Sequence, residues 1–298
     1  MSDNKKVNVS EVTAKYKKKS QMADIFRRLA RNKTAMIGAA VVIILLLMAI
    51  FADVLHDYDT DVIKQDIMSR LQPPSSEHWF GTDEMGRDIF SRVCYGAKYS
   101  LLISFVAATF SLAVGLVLGA LAGYYGGWID MIIMRLMDVL LAIPGTLLAI
   151  AIVASLGSSI PNLIIALSVS GIPGFSRIVR SSVLTVKDSE YVEAAKAIGA
   201  TDSTIIFKHV LPNGMAPLIV QSTLRVASVI LTTAGLSFLG LGVPAPHPEW
   251  GAMLSNARSY IRDFSYMALF PGLAIMTTIL CLNLLGDGLR DALDPRLK

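Results

Sequence analysis

The stretch AMIGAAVVIILLLMAIFA, residues 35–52, decides the fold class of this chain. It carries no charged side chain, and its length is close to the about 20 apolar residues that an α-helix needs to cross the hydrocarbon core of a bilayer. A transmembrane strand would need only about ten residues of alternating polarity. The stretch therefore predicts a membrane-spanning helix.

Further apolar stretches of similar length follow at residues 100–123, 131–156, 160–175, 215–241 and 266–285. The composition agrees, because 53% of the 298 residues are hydrophobic and only 17% are charged, a balance that soluble domains seldom show. The sequence thus predicts an all-α polytopic membrane protein with six transmembrane helices. Its formal net charge of +4 is too small to indicate nucleic acid as a partner.

The distribution of basic residues predicts how the chain is organised around the membrane. Residues 1–34 are rich in Lys and Arg and are predicted to be a cytoplasmic tail, in which residues 22–30 can form an amphipathic helix. Residues 35–298 are predicted to form the transmembrane domain. Residues 53–98 and 242–264 should be external loops and residues 177–213 a cytoplasmic loop, with both termini cytoplasmic.

Small and helix-breaking residues predict which spans pack against protein. The second span carries glycines at four-residue spacing, which lets another backbone approach one helix face: Gly115, Gly119 and Gly123. Pro144 should kink the third span, and Arg135 can pair with Asp138 near its start. The fourth span is interrupted by several residues and should therefore face the bundle interior: Pro161, Gly171, Pro173 and Gly174.

Between the fourth and fifth spans lies EYVEAAKAIGATDSTIIFKHVLPN, residues 190–213. Asp188 or Ser189 can cap a first short helix, and Gly199 can supply the left-handed residue that ends it. Thr201 or Asp202 can cap a second helix. Pro212 prevents that helix from continuing toward the membrane. The pattern predicts a cytoplasmic helical hairpin whose alanine-rich surface a partner protein can bind.

This hairpin resembles the EAA loop of ABC importer permeases. The match lies in the residue types and their spacing, at Glu193, Ala194, Ala195, Gly199, Leu211 and Pro212. His209 departs from the general pattern, which often has an aliphatic residue there, but is similar to the peptide branch. The second permease type of the peptide and nickel branch is also similar at residues 78–101 (HWFGTDEMGRDIFSRVCYGAKYSL), 236–254 (LSFLGLGVPAPHPEWGAML) and 283–297 (NLLGDGLRDALDPRL).

The resemblance implies a subunit of the bacterial cytoplasmic membrane that forms a heterodimeric pore with a related permease. Two cytoplasmic ATP-binding subunits and an external solute-binding protein would complete the transporter, with a peptide as solute and nickel or another small solute as the alternative. The EAA hairpin would fit a cleft on an ATPase subunit, with Glu193, Ala194, Ala195 and Gly199 as contacts. The sequence has no GxxxxGK motif followed by Ser or Thr, so ATP and Mg are expected to be used by the partners and no cofactor by this chain.

Arg225 stands well inside the fifth span, where an unpaired charge costs about 2.5–3.5 kcal/mol on insertion scales. It either lines the solute pathway and meets an anionic group such as a peptide carboxylate, or forms a structural pair with another helix or the partner permease. Thr233 stands where members of the family often have an acidic residue. Both residues are therefore candidates for the solute pathway, with a cavity charge that differs from that of the relatives.

Other function classes need features that this sequence lacks. An ion-coupled secondary transporter or channel, the rival hypothesis, would need a pore ring or a coupling carboxylate at mid-membrane. An intramembrane enzyme would need paired carboxylates, a HExxH element or a nucleophile with its base inside the spans. The charged residues between 78 and 92 form no metal-ligand spacing, which leaves a solvated external loop or, by the resemblance, a structured segment near the outer mouth. No catalytic residue and no metal site are predicted.

Overall fold

The computed structural model describes residues 21–293, so most of the predicted N-terminal tail and the last five residues of the predicted transmembrane domain lie outside it. The helices are α1 (Gln21–Arg31), α2 (Lys33–Ile50), α3 (Ile89–Tyr125), α4 (Gly127–Leu141), α5 (Gly145–Leu156), α6 (Ile160–Val186), α7 (Glu190–Ala197), α8 (the consecutive helical pieces Asp202–Thr204, Ile205–Val210 and Leu211–Gly214), α9 (Ala216–Phe238), α10 (Trp250–Ala257) and α11 (Tyr266–Leu293). Single turns lie at Ala52–Leu55, Tyr58–Val62, Ile67–Ser69 and Arg258–Tyr260.

Five of these helices, α2, α3, α6, α9 and α11, are long and apolar enough to cross a membrane. The pair α4 and α5 meets the same test together and is bent by 82°, so there are six spans when this pair is counted as one. The bend lies at Pro144, whose backbone is extended and which has no N–H to continue the hydrogen bonds of α4. The predictions of an all-α membrane protein and of a kink at Pro144 are confirmed, and the predicted six spans are the upper end of the five to six that the described helices give.

The second span begins much earlier than the predicted residue 100. Helix α3 starts at Ile89, because the Asp88 carboxylate accepts a hydrogen bond of 2.7 Å from the backbone N–H of Ser91 and caps the helix. Residues 89–98, predicted to be part of the external loop 53–98, are therefore helical. Hydropathy locates the part of a helix that can lie in lipid, and it does not detect turns that continue beyond it.

The fourth span likewise ends later than predicted. Helix α6 continues to Val186, so residues 177–186 of the predicted coupling loop 177–213 are helical. Two ion pairs hold this extension against α4: Arg177 to Asp138 at 2.6 Å and Arg180 to Asp130 at 2.5 Å. The sequence had suggested that Asp138 pairs with Arg135. In the structure Asp138 pairs with Arg177 of α6 instead.

The glycine face of α3 packs against α6, which confirms its predicted contact with protein. A Cβ atom on Gly115 would lie 2.5 Å from the Cβ of Phe175, and one on Gly119 would lie 2.4 Å from the carbonyl oxygen of Ser176. These distances are too short for any side chain, so the absence of a side chain is what lets the two helices approach. This contact is the centre of the helix bundle.

The predicted amphipathic helix near the N-terminus is confirmed as α1. It is separated from α2 by Asn32, whose side chain accepts a hydrogen bond of 3.2 Å from the backbone N–H of Ala35. Helix α2 then packs closely against α11, because a Cβ atom on Gly38 would lie 2.7 Å from the carbonyl oxygen of Cys281.

The segment that leads into α3 is ordered by buried charges, so the expectation of a solvated loop is wrong and the structured alternative holds. The Nε of Arg87 donates to the Asp83 carboxylate at 2.7 Å, and both side chains are buried. Arg92 is buried as well, with its guanidinium donating to the carbonyl oxygen of Val62 at 2.7 Å. Within residues 21–293, no three side chains of His, Cys, Asp or Glu lie together as a metal site would require.

Candidate functional site

The hairpin predicted between the fourth and fifth spans is formed by α7 and α8. Gly199 has φ +80°, the left-handed conformation that glycine adopts most easily, and it turns the chain after α7. Thr201 caps α8, since its hydroxyl accepts a hydrogen bond of 3.4 Å from the backbone N–H of Thr204. Ser189 occupies the cap position of α7, but its hydroxyl donates to the carbonyl oxygen of Val186 instead.

One side of the hairpin is buried in the chain's own core. Val192 and Ala195 of α7 and Leu211 of α8 pack in one apolar cluster with Val179 and Val183 of α6. Ala195 was expected to contact a partner, but it is only 5% exposed, because it sits on the inward face of α7. In this structure Ala195 and Leu211 fix the hairpin to α6.

The other side of the hairpin is exposed. It includes Glu193, Ala194, Gly199 and Pro212, as a partner-binding surface would require. It also includes Ile198, which is 85% exposed at the tip.

Ile198 was not predicted to be part of this surface, and neither were Tyr191 and Phe207 of the same hairpin, which are also exposed. An isoleucine directly before the predicted left-handed Gly199, where the chain leaves the helix, was the available signal. An exposed apolar tip on an otherwise polar segment is typical of an interaction surface.

A second contact ties the hairpin to the end of α3. The hydroxyl of Tyr124 donates to the Asp202 carboxylate at 2.8 Å, and the Nζ of Lys196 lies 5.7 Å from the centre of the Tyr124 ring. The hairpin is thus attached to both α3 and α6, the two long helices that pack on each other.

Arg225 lies on α9 and contacts α6. Its Nη2 donates to the carbonyl oxygen of Leu167 at 2.6 Å and to the hydroxyl of Ser170 at 2.9 Å. Its Nε is buried without an acceptor, and the side chain forms no ion pair within residues 21–293. The guanidinium is therefore held by neutral groups, and its charge is not balanced by this part of the chain.

Thr233, the other residue expected on the solute pathway, lies on a different face of α9. It is buried, and its hydroxyl donates to the carbonyl oxygen of Val229 at 2.9 Å. Ser228 and Thr232 share the face of Arg225, because successive helical residues are rotated by about 100°. The structure does not bring Thr233 and Arg225 together.

The chain matches two family models. The model described as "Binding-protein-dependent transport system inner membrane component" matches residues 115–298, which include the hairpin and α9. The model described as "N-terminal TM domain of oligopeptide transport permease C" matches residues 20–74, which include α1 and α2.

Characterised relatives are similar over nearly the whole chain. The dipeptide transport system permease protein DppC of Alkalihalophilus pseudofirmus is 50% identical over 279 residues, which cover 94% of this chain and 91% of the relative. The glutathione transport system permease protein GsiD of Escherichia coli O6:K15:H31 is 49% identical over 275 residues, covering 92% and 90%. The corresponding protein of Pectobacterium atrosepticum is 46% identical over 276 residues, covering 92% and 91%.

Among solved structures, a chain of the MetNI methionine ABC transporter in an inward-facing conformation has a similar fold. The TM-score is 0.54 at 20% sequence identity, and the alignment covers 66% of this chain and 94% of that one. At this identity the likeness concerns the fold alone.

Proposed function

The chain belongs to the family of binding-protein-dependent transport system inner membrane components and is a permease subunit of an ABC importer; from this premise we propose that it forms half of a heterodimeric pathway for short peptides and is driven through its hairpin by partner ATPase subunits. The observation that carries the proposal is the hairpin, which exposes an apolar tip while its opposite side is bound to α3 and α6.

Peptides are the solute class that the relatives favour. The relatives are named for a dipeptide and for glutathione, itself a tripeptide, and their identities to this chain are nearly equal at 50% and 49%. Short peptides are therefore the common chemistry. Nickel is a weaker alternative, because the relatives reported above are named for a dipeptide and for glutathione.

The hairpin is proposed to bind an ATP-binding subunit through Ile198, Glu193, Ala194 and Gly199. A second, related permease would complete the pathway, two ATP-binding subunits would use ATP and Mg, and an external solute-binding protein would deliver the peptide. This chain would bind no cofactor and no nucleic acid and would not itself be an enzyme.

The membrane orientation follows from the hairpin. Its end of the bundle would face the cytoplasm together with both termini, since Lys187, Lys196 and Lys208 concentrate there and basic residues favour the cytoplasmic side. The membrane would be the bacterial cytoplasmic membrane.

The proposed mechanism is a shift between two arrangements of the helices. ATP bound between the partner subunits would stabilise one arrangement and its hydrolysis the other, and the attachment of the hairpin to α3 and α6 would pass the difference to the pathway. The ATPase subunits would thus supply the free energy, and this chain would transmit the conformational change to the solute pathway.

The test is reconstitution of the transporter with its chromosomally encoded partners and parallel measurement of peptide uptake and ATP hydrolysis. Ile198→Arg, Glu193→Arg and Gly199→Arg should uncouple hydrolysis from uptake without loss of membrane insertion. The matched control Ile198→Val keeps an apolar side chain at the tip and should transport normally.

Full coupled uptake by the three arginine variants would contradict docking through the hairpin. Uptake by this chain alone in liposomes, with no ATPase subunit present, would contradict the proposed function and favour a secondary transporter.

A further inference from the structure

We propose that Arg225, positioned by Ser170 and Gly171, forms a binding site inside the membrane for the carboxylate group of the transported solute. The inference rests on the proposed function, because the face that carries Arg225 must line the solute pathway. The site would select solutes that carry a free carboxylate, such as peptides with an unblocked C-terminus.

Helix α9 carries a polar face. Residues spaced alternately by four and three positions share one side of a helix. Between residues 221 and 235, those on the side of Arg225 are all polar or small, and half-exposed or exposed: Gln221, Arg225, Ser228, Thr232 and Gly235. The hydroxyls of Ser228 and Thr232 donate to carbonyl oxygens of their own helix, but Gln221 and the guanidinium of Arg225 are unfavourable against lipid, where polar groups find no hydrogen-bond partners.

Helix α6, which Arg225 contacts, carries a matching stripe. Its half-exposed and exposed residues at the same spacing are Ser170, Gly174, Arg177 and Ser181. The hydrogen bond from Nη2 of Arg225 to the hydroxyl of Ser170 joins the two stripes. From Ser170 the stripe on α6 runs along the helix toward the hairpin, as a solute path across this subunit would.

The guanidinium of Arg225 has no charged partner within residues 21–293. Nη2 is bound to Leu167 and Ser170, and Nε is buried without an acceptor. Nη1 donates to no acceptor within those residues and is not among their buried unpaired atoms. Nη1 is therefore the group left for a carboxylate, and a charge-assisted hydrogen bond from it would be stronger than one from a neutral group.

The position of the guanidinium is fixed by its surroundings. Gly171 lies directly against it, since a Cβ atom there would be 2.8 Å from both Nε and Nη2 of Arg225 and 2.6 Å from the hydroxyl oxygen of Ser111. The missing side chain leaves the space that Arg225 occupies. A charge held in place before the solute arrives spends little further entropy on binding.

A carboxylate of the second permease could supply the same chemistry, so the test must separate the two sources. The complete transporter, reconstituted with its partners, is given a dipeptide or a tripeptide with a free C-terminus, or the corresponding C-terminal amide, at concentrations that saturate the binding protein. The readout is the ratio of free-acid uptake to amide uptake in the wild type and the variants. Because the binding protein is the same throughout, a change in the ratio reports on the permease.

For Arg225→Met we expect the ratio to fall by about tenfold or more, the effect of losing one charge-assisted hydrogen bond. Arg225→Lys keeps the charge but not the planar guanidinium, so its ratio should lie between those of the wild type and Arg225→Met. The control Thr223→Val alters the opposite face of the same helix, where the hydroxyl of Thr223 donates to the carbonyl oxygen of Val220 at 2.8 Å, and should leave the ratio unchanged.

A second readout measures the accessibility of Arg225 instead of peptide uptake. Phenylglyoxal modifies accessible arginines, and its reaction at Arg225 in the complete transporter can be located by mass spectrometry. Saturating free peptide should slow this modification, and the amide should not. An Arg225 that the reagent does not reach, or that both peptides protect equally, overturns the site.

The remaining outcomes are also decisive. An unchanged ratio in Arg225→Met, with ATP-driven uptake intact, overturns this site and leaves the proposed function standing. If Arg225→Met fails to assemble while Arg225→Lys assembles, the charge belongs to a pair between subunits and the inference is wrong. If the wild type shows no ATP-driven peptide uptake at all, the proposed function itself fails.

Discussion

Replacement of Glu249 by Gln tests the packing between α3, α9 and α10. Glu249 is 1% exposed and precedes α10. Its Oε1 accepts hydrogen bonds from the backbone N–H of Gly251 at 2.9 Å and the hydroxyl of Ser100 at 3.1 Å. Its Oε2 accepts from the backbone N–H of Ala252 at 2.8 Å and lies 3.3 Å from the hydroxyl of Ser237.

The size of the effect follows from this arrangement. Each carboxylate oxygen faces one backbone N–H, so a glutamine in either amide orientation puts its own N–H₂ against a backbone N–H. At least one hydrogen bond is lost and a buried donor is left without an acceptor, which costs about 1–3 kcal/mol. Glu249→Gln should therefore lower the free energy of local unfolding around α10 by that amount.

Hydrogen exchange in the complete transporter measures this directly. Amides of residues 250–257 should exchange about 5-fold to about 150-fold faster in Glu249→Gln than in the wild type. The control Glu193→Gln makes the same chemical change at an exposed position and should not alter exchange there. Equal exchange in Glu249→Gln and the wild type would refute the inference that this carboxylate stabilises the junction.

Burial raises the pKa of the Glu249 carboxyl above its ordinary value of 4.5, against the opposing effect of its hydrogen bonds. Between pH 4.5 and the native pKa the native state therefore keeps a proton that the unfolded state releases, and the exchange comparison with Glu249→Gln described above applies at a pH above the native pKa, where the carboxylate is ionised. The free energy of local unfolding should then fall as the pH rises from 4.5 through the native pKa. Hydrogen exchange measures this fall relative to the non-titrating variant Glu249→Gln. A local unfolding free energy of the wild type that rises with pH relative to that of the variant would contradict the prediction. Gly119→Ala should destabilise the fold by about 1–3 kcal/mol in thermal unfolding of the transporter, because the new Cβ would lie 2.4 Å from the carbonyl oxygen of Ser176. The control Gly174→Ala should have little effect, because no atom lies within 4 Å of a Cβ at that position. Gly199→Ala places a Cβ on a residue with φ +80° and should loosen the hairpin turn by about 1 kcal/mol, seen as faster exchange of residues 190–204; unchanged exchange would count against a strained turn.

The accuracy of the sequence-based predictions differs between the spans and their ends. The spans were predicted because transfer from water to lipid depends on the residues of one segment alone. The start of α3 at Ile89 and the extension of α6 to Val186 were missed, because hydropathy contains no term for a helix cap such as Asp88 or for an ion pair such as Arg180 to Asp130. These interactions stabilise helix turns outside the apolar segment.

The hairpin shows the same division within one motif. Gly199 was assigned correctly, and Thr201 is one of the two residues predicted as the cap, since the left-handed turn and the helix cap are local interactions within a few residues. Which side of α7 would be buried could not be decided locally, because alanines occur on both faces. Ala195 therefore turned out to pack on α6, while Ile198 is exposed at the tip.

The sequence by itself determined the number of membrane crossings, the hairpin and the exceptional position of Arg225, because each depends on a property of a short segment: transfer to lipid, helix capping or the cost of a buried charge. Only the tertiary structure decided that Glu249 joins Ser100 across 149 positions, and that Ser228 rather than Thr233 lies beside Arg225. These facts depend on which helices are neighbours and how each is rotated, and both are fixed by packing between segments distant in sequence.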